Sequence, residues 1–194
     1  MRVAVLASGR GSNLEALHRA AENGQLPIVI VAVLSDKAES GALSYARVNG
    51  IPGICLQPKD FASREDFDLA LMQAAAEQRP GLIVCAGYMR IISATGIAAA
   101  PCPMINIHPS LLPKYPGLNT HARALANGDS EHGASVHLVN DILDGGKVLQ
   151  QVKVAVMPED TPASLAERVL NQEHTLLIET VRRITENPQL LQPS

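Results

Sequence analysis

The chain has 194 residues, of which 46% are hydrophobic and 18% are charged, and its formal net charge is −3. This length suits one sizeable α/β domain, and the charge disfavours broad contact with the phosphate backbone of a nucleic acid. Aromatic residues make up only 3%, so a base-stacking surface is not expected. No apolar run approaches the roughly 20 residues that a membrane-spanning helix needs. The composition therefore indicates small-molecule substrates, with neither a nucleic acid nor a membrane as partner.

Three cysteines, Cys55, Cys85 and Cys102, are far apart in the sequence. No CxxC or Cys/His spacing predicts a zinc site, and a disulfide framework is not expected in a chain of this length. The N-terminus enters a strand-like segment at once and lacks the apolar stretch and cleavage site of a signal peptide. We therefore expect a cytoplasmic location, reduced thiols and no metal centre.

In the first half of the chain, short apolar runs alternate with helix-like segments, which is typical of βαβ units and a parallel sheet. The predicted strands are residues 2–7, 28–34, 52–56, 81–86 and 103–107. The predicted helices lie near residues 12–23, 39–49 and 64–78, with a short one around 91–99. Ser63, followed three residues later by Asp66, predicts the cap of the third helix.

After residue 130 the pattern changes to two extended runs, 133–139 and 147–156, joined by a short loop that suits antiparallel neighbours. Thr161 and Pro162 then predict the start of a closing helix with one apolar face. We expect a single α/β, Rossmann-like domain over residues 1–194. Its sheet should be mostly parallel, with antiparallel strands in the C-terminal part and helices on both faces.

A glycine-rich loop, Gly9 to Asn13, follows the first strand and opens a helix. Backbone N–H groups at such a turn, together with the helix N-terminus, favour an anion such as phosphate. The dinucleotide fingerprint fails at its third glycine, where Leu14 stands, although Asp36 has the spacing of a ribose-binding acid. A triphosphate P-loop is excluded, because no Lys-Ser or Lys-Thr follows. A purely structural alternative, in which Ser12 caps the helix, stays open.

The segment around Asn106 and His108 has the strongest catalytic pattern. The two residues are two apart at a strand end, so their side chains lie on one face, and Pro109 keeps the chain extended there. In an open α/β sheet, ligands bind at the carboxyl ends of the strands. Asn106 can stabilise an oxyanion and His108 can donate or relay a proton, which is what acyl transfer needs.

Asp144 lies in a Leu-Asp-Gly-Gly turn that could direct its carboxylate toward His108. An opposite charge there would raise the pKa of His108 and keep imidazolium available. Ordinary turn chemistry explains an Asp before Gly-Gly equally well. His132, Ser135 and His137 lie on a predicted strand, where contact with the site and structural hydrogen bonding are equally good interpretations.

Taken together, five blocks resemble the folate-dependent glycinamide ribonucleotide transformylases, that is, the phosphoribosylglycinamide formyltransferases of purine synthesis. They occur in the family's order and span almost the whole chain. The blocks are Ser8 to Leu14, Ala86 to Arg90, Asn106 to Pro113, Leu143 to Gly146, and Gln172 to His174.

The resemblance implies specific roles for three groups of residues. Gly11, Ser12 and Asn13 correspond to the site for the 5′-phosphate of glycinamide ribonucleotide, and Glu173 to the residue that binds its ribose hydroxyls. Asn106, His108 and Asp144 correspond to the catalytic trio. The positions that match the folate pocket are Arg64, Met89, Arg90, Ile91, Ile92, Asn140, Asp141 and Asp144.

It also implies a direct transfer from 10-formyltetrahydrofolate to the ribotide amine through a tetrahedral intermediate, without a metal. The ribotide phosphate would bind to the half at about 1–100, and catalysis and folate binding would belong to about 101–186. Either a monomer or a homodimer fits. Asn119 stands where the family commonly has histidine, and Leu170 where it is often polar.

Three other functions share part of this sequence pattern. A formyltetrahydrofolate deformylase resembles this family in its catalytic trio but carries an extra N-terminal domain, whereas the first strand here is predicted at residue 2. Methionyl-tRNA formyltransferase would need a C-terminal RNA-binding domain. A non-catalytic nucleotide-binding module built on the glycine loop leaves Asn106 and His108 unexplained.

Overall fold

The computed structural model describes residues 1–192. It has two compact units, Met1–Asn106 and Ile107–Ser194. The expected single domain over residues 1–194 stays a prediction, and each unit is described by itself below.

The first unit alternates strands and helices. In chain order its elements are β1 (Arg2–Leu6), α1 (Ser12–Glu22), β2 (Val29–Ser35), α2 (Gly41–Val48), β3 (Gly53–Cys55), α3 (Arg64–Glu77), β4 (Leu82–Cys85), α4 (Ala94–Ala98) and β5 (Met104–His108). The strands lie in the order β3-β2-β1-β4-β5, and all four neighbouring pairs are parallel. The continuous apolar runs of β1, β2 and β4 are buried, as expected for parallel strands covered on both faces.

The last residues of β5 open the second unit, where the strand order continues to β6 and β7. The further elements are α5 (Thr120–Ala126), β6 (Glu131–Leu138), β7 (Val148–Ala155) and α6 (Pro162–Glu186), followed by a short 3-10 helix (Pro188–Leu191). β6 and β7 are antiparallel, and α6 packs its predicted apolar face on both. The expected fold class, a mostly parallel sheet with antiparallel C-terminal strands, is confirmed.

Helix caps explain where several elements begin. The Ser63 hydroxyl accepts a hydrogen bond from the Asp66 N–H at 3.1 Å, as predicted. Thr161 and Ser164 form a reciprocal capping box, with N···Oγ distances of 3.2 and 3.0 Å. The helix expected around 91–99 covers only Ala94–Ala98, because Ser93 caps it by accepting from the Gly96 N–H. Residues 89–92 are thereby left as an irregular segment.

Within residues 1–192, no helix has both the length and the apolar character needed to cross a membrane.

Gly133 allows close contact between β6 and β7. A Cβ atom at this position would lie 1.9 Å from the Val152 carbonyl oxygen and 2.9 Å from Leu111 Cδ2. Backbone on the partner strand cannot move aside as a flexible side chain can. The hydrogen-bonded register between the two strands therefore depends on the missing side chain.

Two histidines form a buried pair between α5 and β6. His132 Nε2 lies 3.1 Å from His121 Nδ1, and the rings meet edge to face with centroids 5.0 Å apart. Burial, and then the charge of His132, lowers the pKa of His121 to about 4. Burial also lowers the pKa of His132, although Asp129 opposes it. An N–H···N bond needs one unprotonated nitrogen, so the contact is lost when both rings are charged.

Gly133→Ala is expected to destabilise the chain by about 2–3 kcal/mol, because the added methyl overpacks two paired strands. Urea unfolding followed by circular dichroism measures this. Gly9→Ala is the control, since its Cβ would meet no atom within 4 Å. Equal stability of the two variants would contradict the packing argument.

The His121–His132 pair is expected to destabilise the fold as the pH falls from about 6.5 toward 4. The folded-state pKa lies below the unfolded value, so the unfolded chain binds more protons in this interval. The free energy of unfolding, measured by urea at several pH values, should therefore fall more steeply in the wild type than in His121→Asn. Ala126→Ser, an exposed replacement on α5 that adds no titrating group in this interval, should keep the wild-type slope. A wild-type slope in His121→Asn would refute the linkage.

Candidate active site

The predicted phosphate loop lies at the carboxyl end of β1 in the first unit. Gly11 is the N-cap of α1 with φ 84° and ψ 23°, and within residues 1–192 no side chain caps this helix. The alternative in which Ser12 caps the helix is therefore wrong, since Ser12 is already its first residue. The N–H groups of a first helical turn have no intrahelical partners and attract anions. Asn13 in this turn is buried.

Packing explains why glycine stands at two places here. A Cβ on Gly11 would lie 2.9 Å from Ala42 Cα, and one on Gly41 would lie 2.7 Å from the Arg10 carbonyl oxygen. The Ala42 N–H donates to the Gly9 carbonyl at 3.1 Å. The start of α2 thus fixes the loop's backbone, which keeps the N–H groups of α1 in a defined direction.

Some of the predicted folate residues meet one another at the carboxyl end of β4. Arg64 Nη2 donates to the Ile91 carbonyl at 2.5 Å, and its Nε lies 3.8 Å from the buried carboxylate of Asp68. The Arg90 guanidinium lies over the Phe67 ring, 5.2 Å from its centroid.

The side chains of Met89 and Ile91 are largely exposed, 63% and 56%, whereas Ile92 is buried. Arg64 therefore holds a segment that presents two apolar side chains to solvent. That this surface binds folate remains a prediction.

Asn106 and His108 lie two residues apart on β5, as expected. Asn106 pairs with Cys85 of β4, and the imidazole of His108 is only 6% exposed. The predicted one-face arrangement follows from the strand geometry. His108 belongs to the second unit, and its described partners are all there.

Both ring nitrogens of His108 face oxygen atoms. Nε2 donates to the Tyr115 carbonyl at 2.9 Å, and Nδ1 lies 3.4 Å from Asp144 Oδ2. The predicted His108–Asp144 pair is therefore present in the second unit. A carbonyl can only accept, so Nε2 must carry a hydrogen in this arrangement.

The expected rise in the pKa of His108 does not occur. Burial of the imidazole lowers the pKa and outweighs the Tyr115 carbonyl and the Asp144 carboxylate, which both raise it. The local sequence shows the carboxylate but not how much water the fold removes from the imidazole. The predicted rise in the pKa of His108 is therefore wrong. Without a substrate the neutral ring is favoured near pH 7.

Asp144 occupies a strained turn between β6 and β7. Its φ is 50°, and the next residues are glycines whose Cβ atoms would lie 2.4 Å from Ile142 Cγ2 and 1.7 Å from the Leu138 carbonyl oxygen. The two interpretations of Asp144, as a turn residue and as a partner of His108, are therefore both correct. This backbone conformation directs the carboxylate toward His108 and His137.

The Asp144 carboxylate has three described partners. Oδ2 accepts from the Gly117 N–H at 2.8 Å, Oδ1 lies 3.5 Å from His137 Nε2, and His108 is the third. Burial alone would raise the pKa of Asp144, but the bonds from His137 and Gly117 outweigh it and lower the pKa. The Asp144 carboxylate therefore stays ionised, and its negative charge favours protonation of the neighbouring His108 and His137 rings.

His137 is a neighbour that the sequence left undecided. Its Nδ1 donates to the Leu138 carbonyl at 2.8 Å, while its Nε2 faces Asp144. A register shift in the β6–β7 pairing lies between Val136 and His137. Alternation with Ser135 was the available signal, and it left contact with the site and structural hydrogen bonding equally open.

For the other predicted positions, no contact with His108 or Asp144 is described. Asn140 and Asp141 lie exposed in the loop that contains Asp144, and the Asn140 side chain accepts from the Ile142 N–H. Glu173 is buried on α6. Their proposed ligands remain predictions.

Among residues 1–192, no group of three or more histidine, cysteine, aspartate or glutamate side chains is placed to hold a metal ion.

In chemical terms, the second unit presents a buried imidazole donor backed by a carboxylate. Such a pair stabilises negative charge that develops on an acyl oxygen and moves protons. Sequence reasoning missed the Tyr115 carbonyl and the Gly117 N–H, because backbone groups carry no residue-type signal. Proline and glycine around them marked a shaped loop without indicating its contacts.

Comparison with known proteins identifies the family. The formyl transferase family model matches residues 1–181. The phosphoribosylglycinamide formyltransferase of Escherichia coli K12 is 45% identical over 176 residues, which cover 91% of this chain and 83% of that protein.

Two crystal structures are also similar. Glycinamide ribonucleotide transformylase 1 from Symbiobacterium toebii has a TM-score of 0.93 at 36% identity, covering 96% of this chain and 88% of that one. Phosphoribosylglycinamide formyltransferase from Brucella melitensis has a TM-score of 0.88 at 46% identity, covering 94% of each chain. The chain therefore belongs to the formyl transferase family, in its phosphoribosylglycinamide formyltransferase branch, and is a formyl-transferring enzyme.

Proposed function

We propose that the chain transfers the formyl group of 10-formyltetrahydrofolate to the amine of glycinamide ribonucleotide in de novo purine biosynthesis. The observation that carries this proposal is the buried His108–Asp144 pair, 3.4 Å apart, at positions that match the family's catalytic residues. The names of the similar proteins support the acceptor, and the folate donor follows from the resemblance of the motifs.

The reaction is a direct displacement. The amine nitrogen attacks the formyl carbon to give a tetrahedral intermediate, and the bond from that carbon to the folate nitrogen then breaks. The proton lost by the amine passes to the departing folate nitrogen through water. Atoms and charges balance without a metal or a redox partner.

His108 and Asn106 stabilise the oxygen of this intermediate. The Nε2–H of His108 is bound to the Tyr115 carbonyl in the described conformation, and the substrate oxygen shares this donor with the carbonyl during turnover. The Asn106 amide is the second donor. Asp144 beside Nδ1 favours a second proton on the ring, so the imidazole takes up the proton that the amine releases while the oxygen is negative and returns it through water to the folate nitrogen.

Apart from Asp144, the residues that hold the substrates lie outside the trio. The N–H groups and side chains at Gly11, Ser12 and Asn13 bind the ribotide phosphate, in keeping with the anion preference of a helix N-terminus. Glu173 binds the ribose hydroxyls. The folate positions are Arg64, residues 89–92, Asn140, Asp141 and Asp144.

Both His108→Ala and Asp144→Ala are expected to lower kcat by about two to four orders of magnitude, because the oxyanion loses its donor or the donor loses its counter-charge. Stopped-flow absorbance of the deformylated folate measures turnover, and circular dichroism checks the fold. His18→Ala, on α1 in the first unit, is the matched control. Near-normal transfer by both variants would refute the assigned roles.

The same assay distinguishes the rival functions. Folate product is expected only when glycinamide ribonucleotide is present. Product without this amine would indicate a deformylase, and no product under any condition would indicate a non-catalytic binding module.

Gly11→Ala is expected to raise KM for glycinamide ribonucleotide at least about tenfold, while KM for the folate stays within about twofold. The new Cβ meets Ala42 and opposes the left-handed backbone, so the phosphate loop must shift. Gly24→Ala is the control, because its φ is also positive, at 71°, but no atom lies within 4 Å. Equal rises in both KM values would contradict a ribotide-specific loop.

A further inference from the structure

A buried polar network joins the proline-rich loop to β6 and β7 in the second unit. The Ser135 hydroxyl donates to the Ser110 carbonyl at 2.6 Å and accepts from the Leu112 N–H at 3.0 Å. Gln151 Nε2 donates to Ser135 Oγ at 2.7 Å and to the Leu112 carbonyl at 2.9 Å. Ser110 and Ser135 are both fully buried. The start of the loop is therefore fixed to the two strands.

Ser110 also closes the loop onto the catalytic histidine. Its N–H donates to the His108 carbonyl at 2.9 Å, and its hydroxyl donates to the Lys114 carbonyl at 2.6 Å. The same hydroxyl lies 3.3 Å from the Tyr115 carbonyl oxygen. One buried side chain thus fixes the two peptide groups that return the chain to the His108 ring.

Tyr115 is held in a conformation that it would not adopt alone. Its φ is 56°, in the left-handed region that costs a non-glycine residue free energy. Its hydroxyl donates to Asp129 at 2.8 Å, and the Arg123 guanidinium lies over its ring. The surrounding contacts therefore determine where the Tyr115 carbonyl points.

This carbonyl decides which nitrogen of a neutral His108 carries the hydrogen. The Asp144 carboxylate at Nδ1 favours a hydrogen on Nδ1, whereas the Tyr115 carbonyl at Nε2 favours one on Nε2. If the carbonyl moves away, the carboxylate selects the Nδ1–H tautomer. Nε2 would then present a lone pair to the substrate oxygen and repel it.

We propose that Ser110 is a positioning residue: its hydroxyl, supported by Ser135 and Gln151, holds the Tyr115 carbonyl so that His108 keeps a donor at Nε2. This inference rests on the proposed role of His108 as donor to the formyl oxygen. Ser110 touches neither substrate and acts through the loop backbone and the imidazole.

The decisive measurement is the tautomer of His108 in the free enzyme. Enzyme labelled with ¹⁵N-histidine is studied by long-range ¹H–¹⁵N correlation at about pH 8, where the ring is neutral. His108→Gln identifies the signals. The wild type should show Nε2–H. In Ser110→Ala the population should shift toward Nδ1–H, and Ser110→Thr, which restores a hydroxyl, should reverse the shift.

The second measurement is the steady-state kinetics of the same variants. Ser110→Ala is expected to lower kcat about tenfold, with both KM values within about twofold, and Ser110→Thr should recover most of the loss. Gln151→Leu should also shift the His108 tautomer toward Nδ1–H and lower kcat, as Ser110→Ala does. Gln150→Leu is the matched control, because the Gln150 amide bonds instead with Glu179 and Thr180 toward α6. It should leave both readouts unchanged.

The outcomes separate this inference from the proposed function. An unchanged His108 tautomer in Ser110→Ala would overturn the positioning role, even if kcat fell, because the loss would then be merely structural. Equal effects of Gln150→Leu and Gln151→Leu would overturn it as well. A wild-type chain that shows Nε2–H but transfers no formyl group to glycinamide ribonucleotide would instead overturn the proposed function.

Discussion

A carboxylate taken out of water needs donors to replace its hydration, and Asp144 is the point in the second unit where this requirement is met. Two imidazoles and the Gly117 N–H surround it, and each comes from a different segment: β5, β6 and the loop before α5. The left-handed turn that presents Asp144 is compatible only with the glycines that follow it. Removing the carboxylate would take away the acceptor of the Gly117 N–H and the negative charge beside both imidazoles, so the turn, the two histidines and the loop depend on one another.

His108 stands between two acceptors that compete for its hydrogen. The carboxylate favours Nδ1 and the Tyr115 carbonyl favours Nε2, and only the charged ring satisfies both. Burial works against that charge and lowers the pKa of His108. The neutral ring can then donate to only one of the two oxygens. The carbonyl bond is the shorter of the two contacts, at 2.9 Å against 3.4 Å, which places the hydrogen on Nε2 and leaves Nδ1 without one.

Patterns that depend on residue type could be predicted from the sequence, and contacts made by the backbone could not. The caps at Ser63 and Thr161 follow from side-chain chemistry at fixed spacing, and both are present. The one-face placement of Asn106 and His108 follows from strand geometry. The Tyr115 carbonyl is invisible in the sequence, since every residue has one. The direction of the His108 pKa depends on how much water the fold removes, which no local pattern records.

The lowered pKa of His108 is compatible with its proposed role, because catalysis depends on binding that strengthens in the transition state. A charged imidazolium would already attract the formyl oxygen of the bound substrate, and that attraction would be present before the barrier. A neutral Nε2–H donor forms an ordinary hydrogen bond with the formyl oxygen and a charge-assisted one with the oxyanion, and charge-assisted bonds are about twice as strong. The ionised Asp144 beside Nδ1 then favours uptake of the amine's proton by the ring, and the resulting positive charge faces the oxyanion. Burial thereby shifts the stabilisation from the ground state to the intermediate, provided that the neutral ring keeps its hydrogen on Nε2.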